Sequence, residues 1–498
     1  MRLCPDSLWK AIKRVWPTAI LPETLPTVPA QLRLTTDTRQ LEVGDVFVAV
    51  PGSQHDGNAF ISHALDGGAS LVLAHTKQSE LTFDGKVIYL PHLSMRLGEL
   101  GRALFSVPDD LNVIAVTGTN GKSSVTHYIA ALSELLNTPA GLVGTLGVGR
   151  LGALVDTGLT TPGPLALQEI LGELAGQGVR RIALEASSHA LEQRRLDAVN
   201  VTVGVFTNLT RDHLDYHGSM AAYAAAKARL FRRSELALAV VNADDRLARL
   251  MLAGCDSSVR VLAVGSDEAV TLRILDWHPD EQGQQALIAT PDGEKVLNLA
   301  LMGRFNLDNV LLAMSVLYGL GESLDRLFEA ASQLAPVPGR MALYRMANAP
   351  SVVIDYAHTP DALANALKAL REHLGNTGKL WCVFGCGGDR DTGKRAEMAA
   401  VAEQRADHIV VTDDNPRNEP AERIRQQITA GFSAAAAFTE LGDRSQAIDY
   451  AVQHADLQDV ILVAGKGHEA YQEIHNVRHA YQDDEQVLHA LTSRASAL

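Results

Sequence analysis

Gly118-Thr119-Asn120-Gly121-Lys122-Ser123 stands between an apolar run, Val113 to Val116, and a helix-forming stretch that continues to about Leu136. A Gly-Lys-Ser at a strand-to-helix junction is a phosphate cradle. Backbone N–H groups of the turn face phosphate oxygens, the lysine adds a point charge, and the serine hydroxyl can ligate Mg²⁺. The usual signature has a glycine five positions before Gly121, where this chain has Val116; Gly118 comes first here, so the loop is two residues shorter. Glu185 ends the apolar run Ile182-Ala183-Leu184, the place where a carboxylate would complete a Mg²⁺ site begun by Ser123. His213, in Arg211-Asp212-His213-Leu214-Asp215, reads either as a loop histidine or as a second metal ligand. Lys227, in Tyr223-Ala-Ala-Ala-Lys227, reads from its chemistry alone as a surface lysine. Arg390, Arg417 and Glu469 offer two guanidiniums and a carboxylate, which suit a substrate bearing carboxylates and an ammonium, such as an amino acid; a capping and salt-bridging set is the equal alternative.

These residues need a scaffold that delivers them to one place. Apolar runs at 113–117, 181–184, 199–207 and 237–241 alternate with helical patterns at 122–136, 164–176 and 219–231. Such alternation predicts a mainly parallel sheet covered on both faces, with ligands at the carboxyl ends of its strands. The clusters after 113–117, 181–184 and 199–207 all lie at such ends and should converge. Residues 258–300 predict a small antiparallel insertion. After Pro336-Val337-Pro338-Gly339-Arg340, which reads as a linker, the alternation restarts: strands at 352–355, 380–384, 408–412 and 459–463, helices at 360–373, 394–405, 421–432 and 443–454. This predicts a Rossmann-like domain. Residues 1 to about 90 read as smaller α/β material, with strands at 46–50 and 70–74 and a helix at 60–68. Two polar clusters at its strand ends, Thr36-Asp37-Thr38-Arg39 and Gly52-Ser53-Gln54-His55-Asp56-Gly57, are adequately explained as turns.

At 498 residues the chain is too long for one core, and roughly three domains are expected. A net charge of −14 argues against a nucleic-acid binder, though not against small anionic ligands, which need only local positive charge. The cysteines, Cys4, Cys255, Cys382 and Cys386, are sparse, and Cys382-x-x-x-Cys386 has no second ligand pair, so reduced thiols of a cytoplasmic protein are expected. The N-terminal basic residues are followed by no apolar run of signal-peptide length, and no stretch approaches the apolar length of a membrane span.

Gly118 to Ser123, Glu185-Ala186-Ser187-Ser188-His189, Thr207-Asn208-Leu209-Thr210-Arg211-Asp212-His213, Gly303-Arg304-Phe305-Asn306, Pro338-Gly339-Arg340, Asp355-Tyr356-Ala357-His358 and Gly465-Lys466-Gly467-His468-Glu469 together resemble the Mur ligase family along the whole chain. Asp414-Asn415-Pro416-Arg417 looks like the motif of its meso-diaminopimelate-adding branch. The resemblance implies an α/β fold in three domains: a small N-terminal UDP-binding domain over 1–91, a central P-loop ATPase domain over 92–337, and a C-terminal Rossmann-like amino-acid-binding domain over 338–498. It implies ATP and Mg²⁺ as cofactors, and an activity that adds meso-2,6-diaminopimelate to UDP-N-acetylmuramoyl-L-alanyl-D-glutamate through an acyl phosphate. A cytoplasmic monomer that binds small molecules, with no nucleic-acid partner, is the implied setting.

By position, the resemblance assigns Thr36, Thr38, Ser53, Gln54 and His55 to the UDP end of the substrate, and Thr160, Thr161, Ser187, Gln193 and Arg195 to its sugar-peptide part. Gly118, Thr119, Asn120, Gly121, Lys122, Ser123, Asn306, Asn309, Arg340 and Asp355 fall to ATP. Arg390, Asp414, Asn415, Pro416, Arg417, Gly465 and Glu469 fall to diaminopimelate. Ser123, Glu185, His213 and Lys227, the last as a carbamate, fall to the metals; Lys122, Glu185, His213 and Lys227 are the implied catalytic set. Ser123 stands where threonine is common, and Thr38 where the first-domain motif usually has serine; both keep the hydroxyl. Within the superfamily, a lysine-adding ligase and a folylpolyglutamate synthase are the alternatives, opposed by the Asp-Asn-Pro-Arg motif and the N-terminal domain respectively. Outside it, the alternative is a P-loop switch that hydrolyses ATP without forming a bond.

Overall fold

The computed structural model describes residues 3–20, 28–52, 55–374 and 378–496. Two compact units make up the chain: Met1–Thr126 with Asn137–Ala239 and Arg249–Arg260, and His127–Leu136 with Val240–Ala248 and Val261–Leu498.

The first unit opens with a five-stranded sheet in which Leu34–Thr35, Val46–Ala49, Leu71–Thr76 and Val87–Pro91 run parallel side by side, with Thr82–Asp84 antiparallel at the edge. Its strands are apolar on both faces because both are covered. Val46, Val48, Leu71 and Leu73 pack with Leu8, Ile12 and Leu97, while Phe47, Ala49, Val72 and Ala74 pack with Ala64 and Ala69. The helix Pro5–Val15, which the sequence reading did not anticipate, supplies Leu8 and Ile12; Pro5 sits in its first turn, where no N–H is needed. In the same unit Asn112–Thr117 pairs in parallel with Arg181–Glu185 and Val201–Phe206, and Ala140–Gly144 pairs in parallel with Arg181–Glu185. Val113 to Val116 are wholly buried. The helix from the phosphate loop runs Lys122–Leu135, close to expectation, and the expected helix at 164–176 is Pro164–Gly176.

In the second unit Leu272–Asp280, Gly283–Thr290 and Gly293–Leu299 form an antiparallel meander, the expected insertion; Arg260–Gly265 pairs with its first strand in parallel. The six-stranded sheet has the spatial order Ala342–Tyr344, Ser351–Asp355, Val460–Ala464, Leu380–Phe384, His408–Val411, Thr439–Glu440, all parallel except the first. One face packs on Leu363, Leu367, Met398 and Ile424, the other on Ile448, Val452, Val487 and Leu491. That is the doubly covered arrangement the alternating pattern predicts. Helix Pro360–His373 shows the local logic: Thr359 caps it by accepting from Ala362 N, and Pro360 occupies the first turn, where no N–H is needed. The hairpin Tyr471–Ile474/Val477–Ala480 was not anticipated; His475 and Asn476 both take positive φ, as a two-residue hairpin turn requires.

Candidate active site

In the first unit the phosphate loop is tied to the neighbouring strand end. Gly118 has φ +153°, and a Cβ there would lie 1.9 Å from Thr207 Oγ1, so only glycine fits. Thr207 Oγ1 donates to Asn120 O at 2.5 Å, and Asn208 holds Asn120 at both ends, accepting from its N–H at 2.9 Å and donating Nδ2 to its carbonyl at 3.1 Å. The Lys122 ammonium donates to Gly118 O at 2.9 Å and Thr119 O at 2.8 Å, so it is folded back over its own loop. Ser123 is buried in the first turn of the helix.

Lys227 is not a surface lysine. It is 1 % exposed, donates to Gly118 O at 2.7 Å, and sits 4.4 Å from the Tyr223 ring centroid. Burial pushes its amine well below the usual lysine range, and the nearby Lys122 charge adds to the effect against a smaller opposing pull from Asp212. Spacing could not reveal this, because the alanines around Lys227 carry no periodic signal for which face is inward.

Glu185 is buried, and Thr145 holds its carboxylate through its N–H at 2.8 Å and its hydroxyl at 3.2 Å. A Cβ at Gly144 would lie 2.3 Å from Glu185 Oε1, so Gly144 leaves the room that this side chain fills. Thr145 Oγ1 and Thr160 Oγ1 are 3.0 Å apart. Thr161 Oγ1 donates to Glu185 O at 2.7 Å and lies 3.2 Å from Ser187 Oγ; Arg195 donates to Thr161 O at 2.6 Å and to Gln193 Oε1 at 2.7 Å. Thr160, Thr161, Ser187, Gln193 and Arg195 therefore form one connected group beside Glu185. His213, half exposed with φ +51°, lies with its ring centroid 5.0 Å from that of His189.

Thr36 and Thr38 follow strand Leu34–Thr35, and the turn holding His55 follows its parallel neighbour Val46–Ala49, so these positions leave adjacent strand ends. The turn is closed by Gly52 N donating to His55 O and Gly57 N donating to Val50 O. Ser53 and Gln54 lie outside the described residues.

In the second unit Asn306 and Asn309, both buried, are one turn apart on helix Arg304–Gly319. Asn306 donates to Met302 O and accepts from Tyr128 OH at 3.2 Å. Asp355 accepts from Met341 N and Ala357 N, both at 2.9 Å, and burial raises its carboxyl despite the opposing Arg340 charge. The Arg340 guanidinium lies 4.7 Å from the Tyr356 ring centroid, and its buried Nε has no hydrogen-bond partner in the structure.

The clusters after strands Ser351–Asp355, Leu380–Phe384, His408–Val411 and Val460–Ala464 converge, as ligand sites at such strand ends do. Asn415 Nδ2 donates to Glu469 Oε2 at 2.8 Å, and a Cβ at Gly465 would lie 2.6 Å from Asp414 Oδ2. Arg417, at φ +51°, donates Nη1 to Gly388 O at 2.8 Å and has Nε 3.5 Å from Glu473 Oε2. A Cβ at Gly388 would lie 1.9 Å from Pro416 O. Arg390 is exposed on the same loop, its Cγ 3.8 Å from where Gly387 would carry a Cβ. The unanticipated hairpin straps the motif: Arg417 N donates to Glu473 O at 2.9 Å, His475 N to Arg417 O at 2.7 Å, and Gln472 Nε2 to Asp414 O at 2.7 Å. Thr145, Thr207, Asn208, Lys466 and Glu473 are the participants that sequence reasoning missed. Three of them stand inside or beside quoted motifs, but their roles depend on contacts that spacing does not encode.

The donor set fits Mg²⁺ only in part as it stands. The Ser123 hydroxyl and Glu185 carboxylate are hard oxygen donors, whereas Lys227 fits a cation only once its amine has become an anionic carbamate. Among the described residues no group of three or more His, Cys, Asp and Glu is placed to hold a metal. No described helix is long and apolar enough to cross a membrane.

Residues 116–317 match the model of the Mur ligase middle domain, and residues 339–467 that of the Mur ligase glutamate ligase domain. The chain is similar to a UDP-N-acetylmuramoyl-L-alanyl-D-glutamate–2,6-diaminopimelate ligase of Pseudomonas aeruginosa, 45% identical over 92% of this chain and 95% of that protein. A solved structure of a ligase with the same name has a TM-score of 0.71 at 35% identity, over 97% of this chain and 99% of that one. A MurF ligase of Thermotoga maritima, solved in complex with ADP, shares the fold at a TM-score of 0.64 and 20% identity, over 93% of this chain and 98% of that one.

Proposed function

The chain belongs to the Mur ligase family, and from that premise we propose that it joins meso-2,6-diaminopimelate to UDP-N-acetylmuramoyl-L-alanyl-D-glutamate at the expense of ATP, a step of peptidoglycan precursor synthesis. The observation that carries the choice of amino acid is the convergence of Asp414, Asn415, Arg417, Gly465 and Glu469 in one polar cluster strapped by a hairpin. Diaminopimelate has two carboxylates and two ammonium groups. Arg417 suits one carboxylate and Glu469 one ammonium. Lysine, the alternative, lacks the second carboxylate.

The reaction begins when the γ-carboxylate of the D-glutamate attacks the γ-phosphorus of ATP; the bond to the β-phosphate bridging oxygen breaks, giving an acyl phosphate and ADP. The free amine of diaminopimelate then attacks the acyl carbon, a tetrahedral intermediate forms, and inorganic phosphate leaves as the amide closes. Lys122 needs only to swing from its own loop carbonyls onto the phosphates to offset the developing charge. Mg²⁺, when bound, supplies further neutralisation of the phosphates. Ser123, Glu185, His213 and the Lys227 carbamate are the residues that would hold it. Burial lowers the proton affinity of this amine and so favours the free-base form that adds to CO₂, which supports the carbamate. Thr160, Thr161, Ser187, Gln193 and Arg195 would take the sugar-peptide part, Thr36, Thr38, Ser53, Gln54 and His55 the UDP end, and Asn306, Asn309, Arg340 and Asp355 ATP. The orphan Nε of Arg340, beside the Tyr356 ring, is a donor suited to a nucleotide oxygen. The proposed domains are 1–91, 92–337 and 338–498, in a monomer working in the cytoplasm, where nucleotide precursors and ATP occur together.

The test is a panel of amino acids, including meso-diaminopimelate and L-lysine, each given with UDP-N-acetylmuramoyl-L-alanyl-D-glutamate and ATP, with products read by mass. A diaminopimelate adduct whose formation parallels phosphate release is expected. A lysine adduct in preference, or phosphate release that ignores the amine, overturns the proposal.

A further inference from the structure

Lys466 is fully buried, and its ammonium stands at the centre of the C-terminal cluster. Nζ is 3.0 Å from Asn415 Oδ1, 3.2 Å from Glu469 Oε2 and 3.9 Å from Asp414 Oδ1. The rings of Tyr471 and Tyr481 lie 5.6 and 6.0 Å from it. An ammonium has donors only, so the Asn415 amide must turn its oxygen toward Lys466. Glu473 N–H donates to the same oxygen at 2.9 Å, which removes the flipped alternative. The Asn415 NH₂ is thereby aimed at Glu469 Oε2, 2.8 Å away. Glu469 Oε2 then has two strong donors. Among the described residues its other oxygen, Oε1, has only the Tyr356 hydroxyl, at 3.5 Å. A carboxylate held on one oxygen with the other left open is an acceptor ready for an incoming ammonium. The lysine also offsets the negative charges of Asp414 and Glu469, 3.9 and 3.2 Å from its Nζ.

We infer that Lys466 is a positioning residue for the amino-acid acceptor: it fixes the Asn415 amide and, with it, presents Glu469 Oε1 to a substrate ammonium without itself touching substrate. The inference rests on the reading of Asp414, Asn415, Arg417 and Glu469 as the diaminopimelate site.

The experiment is a double-mutant cycle in the full chain with Lys466→Met, Glu469→Gln and both together, measuring kcat/KM for meso-diaminopimelate and KM for ATP. Loss of one charge-assisted hydrogen bond predicts that Glu469→Gln lowers kcat/KM by roughly ten- to a hundredfold. Lys466→Met should match that loss, mainly through the diaminopimelate KM, with the ATP KM within about twofold. In the Glu469→Gln background, Lys466→Met should cost less than about threefold, because residues acting through one another are not additive. Lys466→Gln, neutral but still a donor, replaces the Met variant if the latter does not fold. Additive losses, a parallel rise in the ATP KM, or failure of both variants to fold would assign Lys466 to general stability and overturn the inference. If Glu469→Gln matters and Lys466→Met does not, this inference alone falls. If Glu469→Gln leaves diaminopimelate use intact, the site reading falls and takes the inference with it.

Discussion

Arg417→Ala should cost diaminopimelate selectively, and the structure limits by how much. A guanidinium has five N–H donors. One of them, on Nη1, is committed to Gly388 O at 2.8 Å, and Nε faces Glu473 Oε2 at 3.5 Å. Among the described residues Nη2 has no hydrogen-bond partner, so its donors are left for a substrate carboxylate. A hydrogen bond to a charged group contributes about 1.5–3 kcal/mol, so losing one lowers kcat/KM for diaminopimelate by roughly ten- to a hundredfold. The substitution also leaves Gly388 O without its partner, a loss that acts on every amino-acid substrate alike. The difference between substrates is therefore the informative quantity. L-Lysine lacks the second carboxylate, so its poor use should fall by much less, and the ATP KM should hardly change. Steady-state phosphate release with each amine, at saturating ATP and UDP-substrate, measures all three. Equal losses for diaminopimelate and lysine would refute the assignment of Arg417 to the second carboxylate.

Lys122→Ala should abolish phosphate release without unfolding the chain, which a thermal melt run alongside checks; near-normal turnover would sink the nucleotide-loop assignment. Lys227 should take up ¹³C-labelled bicarbonate as a carbamate visible by NMR, with short carboxylic acids rescuing Lys227→Ala but not Lys227→Arg. Because its amine is held below the ordinary lysine value, the folded chain sheds this proton at a lower pH than the unfolded one. Stability should therefore rise with pH between those two values, and carbamate formation should increase as pH rises through the lower one; uptake that falls over that range would contradict the burial argument. Arg444 and Asp483, both fully buried, are bonded at 2.7 and 2.8 Å, and Arg444→Met would leave the Asp483 charge stranded; a loss of about 3–5 kcal/mol in denaturant unfolding is expected, and a change under about 1 kcal/mol would refute it.

Much of this protein is written in local order. The parallel strands and their helices were legible because a strand covered on both faces must be apolar throughout, and a helix between strands carries its own period and caps. Pro164–Gly176 and Pro360–His373 fell where the pattern put them for that reason. The glycine-rich turn from Gly118 to Ser123 was legible because so tight a backbone admits few residue types. The resemblance named the rest of the candidate residues without showing what any of them touches. Tertiary structure decided those contacts. It turned Lys227 inward, where desolvation changes its chemistry. It also brought Thr207 against Gly118, and laid the 471–480 hairpin over Arg417. Lys466 was in plain view within a quoted motif, yet its part depends on Asn415, 51 positions away in the chain. Charge, burial and hydrogen-bond direction are properties of neighbours in space, and a linear sequence lists neighbours only along the chain.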